Sequence, residues 1–305
     1  MDYEQILPTD PRLHWGHRTL RLLEDLWRKG ITGAGVRVGV LDSAPIPEHP
    51  DLHIFPKSQK DFTAGSASFG ASQNHGCHCC GAIAAAGSQV FGAAPEAGIA
   101  YGRVKLSAAS VAEGLEWLLK VRPAVHIICI PLEIFEENEP ISAFEALRRA
   151  IAKAEEKGKV VVAAVGNDFD RQNEMVPRYP AAFDTVLAIG ALKEDGNLHE
   201  ESGMHSCIDL VAPGHMLLTT EQGGGVCTNF SRTSAAAAFA AGAMALVVQV
   251  LRDHDLMWTA EEIRKLVKET ADFPFTQHQK CQSNLFGCGI IQPAKAVQHL
   301  LSLIP

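Results

Sequence analysis

Six short apolar runs, at residues 36–41, 98–104, 125–130, 160–165, 186–191 and 208–211, alternate along the chain with segments of helical period. Each run is short, nearly continuously apolar and bounded by Gly, Pro, Asp or Asn. That is the pattern of strands buried on both faces. Helical spacing predicts helices over 110–120, 142–157 and 235–251. Thr259-Ala260-Glu261-Glu262 is a capping box that opens another helix, to about residue 271. Strands alternating with helices in this way predict an α/β fold, with a mostly parallel central sheet and helices on both faces. Residues 17–29 predict a surface helix whose apolar positions are Leu20, Leu22, Leu23, Leu26 and Trp27. Residues 1–16 read as an N-terminal arm. Residues 17–305 read as one domain, without internal repeat, low-complexity tract or linker.

Composition narrows the function classes. The chain has 305 residues, 47 % hydrophobic and 20 % charged, which excludes a disordered or collagen-like polymer. Its 27 basic and 35 acidic side chains give a net charge of −8, a poor match to nucleic-acid phosphates or anionic lipid. The apolar stretch 234–251 is long enough to raise the question of a membrane. It is Ala-rich and contains Gly242 and Gln249, so it predicts a helix inside a large core. Eight cysteines are present, and the acidic N-terminus lacks the basic start and apolar run of a secretory signal. The expectation is reduced thiols in the cytoplasm.

Four local patterns are candidates for chemistry. Asp42 stands at the carboxyl end of the first strong strand, where open α/β sheets place their sites. Gly33-Ala34-Gly35 precedes that strand, whereas a dinucleotide fingerprint needs its glycines after the strand. In Asn74-His75-Gly76-Cys77-His78-Cys79-Cys80-Gly81, the residues suit a zinc site, a redox dithiol, or a His75 general base at a helix start. No second Cys or His pair stands at a supporting metal spacing. Ser234 opens the apolar helix; it is either an N-cap or a nucleophile beside backbone N–H groups and the positive helix end. Asn167 follows a buried strand ending in Gly166, as a turn residue or as an amide donor aimed into a site.

Taken in order, these patterns resemble the subtilisin-like serine peptidase family (the subtilases), from about Leu13 to Val297. The resemblance is carried by Val40-Leu41-Asp42-Ser43, His49-Pro50-Asp51-Leu52, His75-Gly76-Cys77-His78 and Gly92-Ala93-Ala94-Pro95. It continues in Ala164-Val165-Gly166-Asn167, Arg178-Tyr179-Pro180-Ala181, Val211-Ala212-Pro213-Gly214, Thr233-Ser234 and Phe286-Gly287-Cys288-Gly289-Ile290-Ile291. The order Asp, His, Ser also matches that family among triad enzymes. The resemblance implies a three-layer subtilisin-like fold and a serine endopeptidase acting on peptides or proteins. It casts Ser234 as nucleophile, His75 as base, Asp42 as the residue orienting the imidazole, and Asn167 as oxyanion donor. Pro131, Leu132, Glu133 and Gly166 fall at the substrate-binding positions. No cofactor and no metal is expected, because the segment 86–91 is too short for the family's calcium loop. Neither nucleic acid nor membrane is expected as a partner. The short stretch before the domain is similar to that of intracellular members.

Several positions depart from the family pattern. Arg232 stands where Gly is usual two residues before the nucleophile, so a positive φ there would be strained. Pro131 and Glu133 replace residues that leave donors and space for a peptide, which predicts a narrowed pocket preferring basic or very small side chains. A catalytically weak peptide-binding scaffold and a processing protease for one partner are the competing readings. Cys79 falls where thiol-containing members carry Cys, which implies sensitivity to mercury and bulky thiol reagents.

Overall fold

The runs of continuous apolar residues are explained by a sheet with a packed layer on each side. The computed structural model describes residues 1–64, 72–167, 178–203, 207–273 and 285–304. Its strands are β1 (Arg37–Asp42), β2 (Ile54–Asp61), β3 (Gly98–Arg103), β4 (Ile127–Ile130), β5 (Val160–Ala164), β6 (Val186–Leu192) and β7 (Leu210–Pro213). They form a seven-stranded sheet in the order β2-β3-β1-β4-β5-β6-β7, with every neighbouring pair parallel. A two-stranded antiparallel hairpin, β8 (Leu217–Glu221) and β9 (Gly225–Phe230), stands apart from it.

Alternate residues of each strand enter different cores. Val38, Val40, Ile127, Cys129, Val160 and Val162 pack on the side of α3 (His75–Ala84) and α6 (Thr233–Asp253). Leu41, Ile128, Ile130, Val161 and Ala163 pack on the side of α4 (Ala108–Leu118) and α5 (Ile141–Glu156). The three-layer α/β arrangement is therefore the one expected. Helix α7 (Ala260–Glu269) begins with the predicted capping box, Thr259 accepting from the Glu262 N–H and Glu262 accepting from the Thr259 N–H. Helix α6 lies against β1 and β4 to β7, and every residue from Thr233 to Leu251 is buried. It is long and apolar enough to cross a membrane, and here it is the central core helix.

Strand order also locates the crevice. From β1 the chain turns to β2 and β3 on one side, then crosses to β4 on the other. Such a reversal opens a cleft at the carboxyl ends of the strands. Asp42 ends β1, Pro131 follows β4, and Gly166-Asn167 lies just beyond β5.

The front of the chain differs from expectation. Instead of one surface helix over 17–29 there are α1 (Trp15–Thr19), α2 (Leu22–Asp25) and a 3₁₀ turn, Trp27–Lys29. Arg21, at φ +54°, breaks the run. Leu20, Leu22, Leu26 and Trp27 are all fully buried, which a single amphipathic stripe could not achieve. The edge strand β2, the β8–β9 hairpin and α8 (Pro293–Ser302) were outside the predicted elements. β2 carries Pro56 and two lysines, the chemistry of an edge rather than a buried strand. The expectation of wholly reduced cysteines is corrected as well. Cys77, Cys79, Cys80, Cys129, Cys207 and Cys227 are free, but Cys288 is disulfide-bonded. Its partner lies outside the described residues. Cys288 sits in a turn, where its N–H donates to the Asp209 carbonyl at 2.7 Å.

Candidate active site

Strand alternation places Asp42 on the same face of β1 as Val38 and Val40, so its carboxylate points toward α3 and α6 rather than toward α4. It is fully buried. One oxygen accepts from the Ala44 N–H at 2.9 Å, and the other accepts from Nδ1 of His75 at 2.7 Å. This pairing fixes the neutral imidazole's tautomer, with Nδ1 protonated and Nε2 as the proton-accepting nitrogen. Burial disfavours the charged imidazolium, but the charge and hydrogen bond of Asp42 outweigh it. The His75 pKa accordingly lies above its ordinary value.

His75 is the first residue of α3, and its helix is held close to β1. A Cβ on Gly76 would come within 2.0 Å of the Tyr101 hydroxyl, which donates to the Ala44 carbonyl at 2.9 Å. From the other side the hydroxyls of Thr219 and Thr220 in β8 donate to the carbonyls of His78 and Cys77. Phe230 meets the His75 ring edge-on, with centroids 6.1 Å apart. Helix α3 crosses α6 where a Cβ on Gly242 would stand 2.6 Å from the Ile83 carbonyl. That close crossing brings the N-termini of both helices to one cleft of about 600 Å³.

Ser234 is the second residue of α6, and its N–H belongs to the first turn, where backbone amides have no intrahelical acceptor. Its hydroxyl donates to the Pro131 carbonyl at 3.0 Å. Among the described residues, Ser234 and His75 line the same cleft without a hydrogen bond between them. Arg232, immediately outside the helix, has φ +82° and ψ −171°, backbone space that is essentially reserved for Gly. Its Nε pairs with Glu201 at 2.9 Å.

Asn167 is fixed at both ends of its amide. Oδ1 accepts from the Thr233 N–H at 3.0 Å and from the Thr233 hydroxyl at 2.9 Å, while Nδ2 donates to Glu133 at 3.1 Å. Glu133 pairs in turn with Arg178 at 3.4 Å. Gly166 takes φ +105°, and a Cβ there would stand 2.8 Å from Arg178 and 3.1 Å from Glu133. The structure thus brings His75, Ser234, Asn167, Pro131, Leu132 and Glu133 to one cleft, with buried Asp42 behind His75 and Gly166 packed under Arg178 and Glu133. Sequence reasoning singled out neither Thr233 nor Arg178 as a site residue. Both lie inside motifs that carry the family resemblance, directly before Ser234 and before Tyr179-Pro180.

The metal alternatives find a different grouping. Among the described residues, the three potential ligands that come within 4.8 Å of one another are Asp42, His75 and Cys79, not the Cys77/Cys80 pair. Burial, and then the charge of Asp42, push the Cys79 thiol well above its ordinary pKa, which disfavours the thiolate that a metal requires. Asp51 accepts N–H groups from Ser88, Gln89 and Val90 at 2.8, 2.8 and 3.1 Å.

This architecture is shared with solved structures. The structure of MycP1 from Mycobacterium smegmatis superposes with TM-score 0.78 at 22 % identity, over 96 % of this chain and 86 % of that one. The pattern of the subtilase family (Peptidase_S8) matches residues 33–289. Subtilisin BL of Lederbergia lenta is 32 % identical over 279 residues, covering 88 % of this chain and 93 % of that protein. The major intracellular serine protease of Bacillus subtilis (strain 168) is 34 % identical over 238 residues, covering 73 % and 71 %. The chain belongs to the subtilase family of serine peptidases, and with it to the serine-type endopeptidases, which are hydrolases.

Proposed function

We propose that Asp42, His75 and Ser234 form the catalytic triad of an endopeptidase with an altered substrate cleft. The observation that carries this reading is the 2.7 Å contact between buried Asp42 and His75, in one cleft with a serine at a helix N-terminus. A change of Ser234 rotamer, from Pro131 toward Nε2 of His75, precedes attack. The hydroxyl oxygen then adds to the scissile carbonyl carbon while its proton passes to Nε2. The oxyanion is held by the Asn167 amide and the Ser234 N–H. Collapse expels the amine, which takes the proton from His75, and water completes the cycle by the same route. Asp42 stays ionised and stabilises the imidazolium.

Pro131, Leu132, Glu133 and Gly166 line the substrate strand and its first pocket. Glu133 and Arg178 occupy the space above Gly166, and they neutralise each other. This narrows the earlier expectation: small side chains before the cut are favoured, and the paired Glu133 offers little attraction to basic ones. Residues 1–16 act as an anchoring arm; Tyr3 and Ile6 are buried, and Arg12 donates to the Gly87 carbonyl at 2.7 Å. Cytoplasmic residence is proposed on the free buried thiols and on the likeness to an intracellular relative, with the Cys288 disulfide as the observation against it. Thiol counting on protein taken directly from its source cells decides that point.

A second reading, a peptide-binding scaffold, is favoured by one specific observation: both Ser234 and Asn167 are hydrogen-bonded to the 131–133 segment. Cleavage of casein and of a peptide library by the wild type and by Ser234→Ala separates the readings. Ser234-dependent cuts after small residues support the endopeptidase. Peptide binding without any cleavage supports the scaffold, and cleavage of one protein but not of casein supports a dedicated processing enzyme.

A further inference from the structure

We propose that Glu133 is a positioning residue for the oxyanion donor, and that Arg178 is its charge partner, which makes a carboxylate tolerable at that place. The proposal rests on reading Asn167 as that donor. The orientation of the Asn167 amide follows from its partners. A backbone N–H cannot accept, so Oδ1 faces Thr233; a carboxylate cannot donate, so Nδ2 faces Glu133. With two hydrogen bonds on the oxygen and one on the nitrogen, the amide plane is set. The second Nδ2 hydrogen is then fixed in direction before substrate arrives. Donors held in advance stabilise a developing charge without reorganising at the moment of reaction.

The same carboxylate brings a hazard. It places negative charge one hydrogen bond from the donor of a forming oxyanion, in a partly buried site where charges interact strongly. Arg178 offsets it. Its Nε lies 3.4 Å from Glu133 Oε2, with side-chain exposures of 13 % and 23 %. Its guanidinium lies over the Phe135 ring, 3.8 Å from the centroid. Both side chains press on Gly166, the residue that leads into Asn167, so the pair is wedged against the strand end that presents the donor. Glu133 therefore acts through Asn167 and does not itself touch the reacting atoms.

The test is steady-state kinetics on one peptide substrate with the full chain, melting temperatures measured alongside. Arg178→Ala, which removes this charge pairing, is expected to lower kcat about ten-fold, short of the 10²–10³ seen when a subtilisin loses its oxyanion donor outright, with little change in KM. Adding Glu133→Gln to Arg178→Ala is expected to restore most of that loss, because a glutamine carbonyl still accepts the Asn167 hydrogen bond and carries no charge. Glu133→Gln alone is expected to lose less kcat than Glu133→Ala, which lowers kcat several-fold by releasing the amide. If Arg178→Ala does not fold, the larger Glu133→Ala loss against the smaller Glu133→Gln loss is the deciding pair. Failure of rescue, a loss confined to KM, or an unchanged kcat in Glu133→Ala overturns the proposal. Wild-type cleavage with none of this coupling sinks the Glu133 role alone. A wild type as inert as Ser234→Ala sinks the underlying reading and this one with it.

Discussion

Arg232 holds a backbone conformation that costs on the order of 1–3 kcal/mol for a residue with a side chain. Its half-exposed pair with Glu201 returns about 0–1 kcal/mol. Arg232→Gly should therefore raise the melting temperature by about 2 °C or more; a lower melting temperature would show that the arginine is unstrained. The sequence could flag this position because a usual glycine is replaced, and the φ of +82° supplies the strain. The state of His75 was legible only in part. Its ordinary pKa is near 6.5, and the balance of burial against the Asp42 charge raises it. In the proposed triad the base is the neutral imidazole, so kcat/KM is expected to rise with pH through a midpoint above 6.5. The paired imidazolium stabilises the fold below the unfolded pKa, and that contribution is lost as pH climbs through the raised one. A kcat/KM midpoint below 6.5 would contradict the Asp42 pairing.

At the scale of elements, the site is built by two helices whose first turns meet. The apolar, Ala-rich run of α6 and the small residues of α3 were visible in the sequence, because close helix crossing needs small side chains. The β8–β9 hairpin that braces α3 was not visible. Its threonines read as ordinary polar residues until their hydroxyls are seen on the α3 carbonyls. The loop after α3 carries a further consequence. Asp51 is buried and accepts three backbone N–H groups, and those bonds hold its pKa below the usual carboxylate range although burial alone would raise it. A carboxylate surrounded by N–H donors already has its charge satisfied. Stripping divalent ions with a chelator is therefore expected to leave the melting temperature unchanged, whereas Asp51→Ala should lower it. A large loss with chelator would mean that a cation, not the three amides, holds this loop.

Across the whole molecule, the buried strands and the α/β alternation were plain from the apolar runs, because strands covered on both faces carry continuous hydrophobicity. The front segment was misjudged because its leucines occupy too many sides for one surface helix, and the chain solves this by breaking at Arg21. That segment also buries His14 and His17 against Phe239. Burial lowers His17 to about 4 and His14 well below its ordinary value, so both are neutral in the folded state. The unfolded chain binds more protons below 6.5, and stability must fall as pH drops from about 6.5 toward 4. Thermal melts at pH 7 and pH 5 should show this loss, and a flat profile would mean that these rings reach solvent.

The central claim is that Ser234 is a nucleophile activated by His75 and Asp42. Its most direct test is labelling with a fluorophosphonate, followed by mass mapping of the modified peptide. The adduct is expected on Ser234, stoichiometric in the wild type, absent in Ser234→Ala and strongly slowed in His75→Ala. No adduct on folded wild-type protein, or an adduct that survives Ser234→Ala, would contradict it.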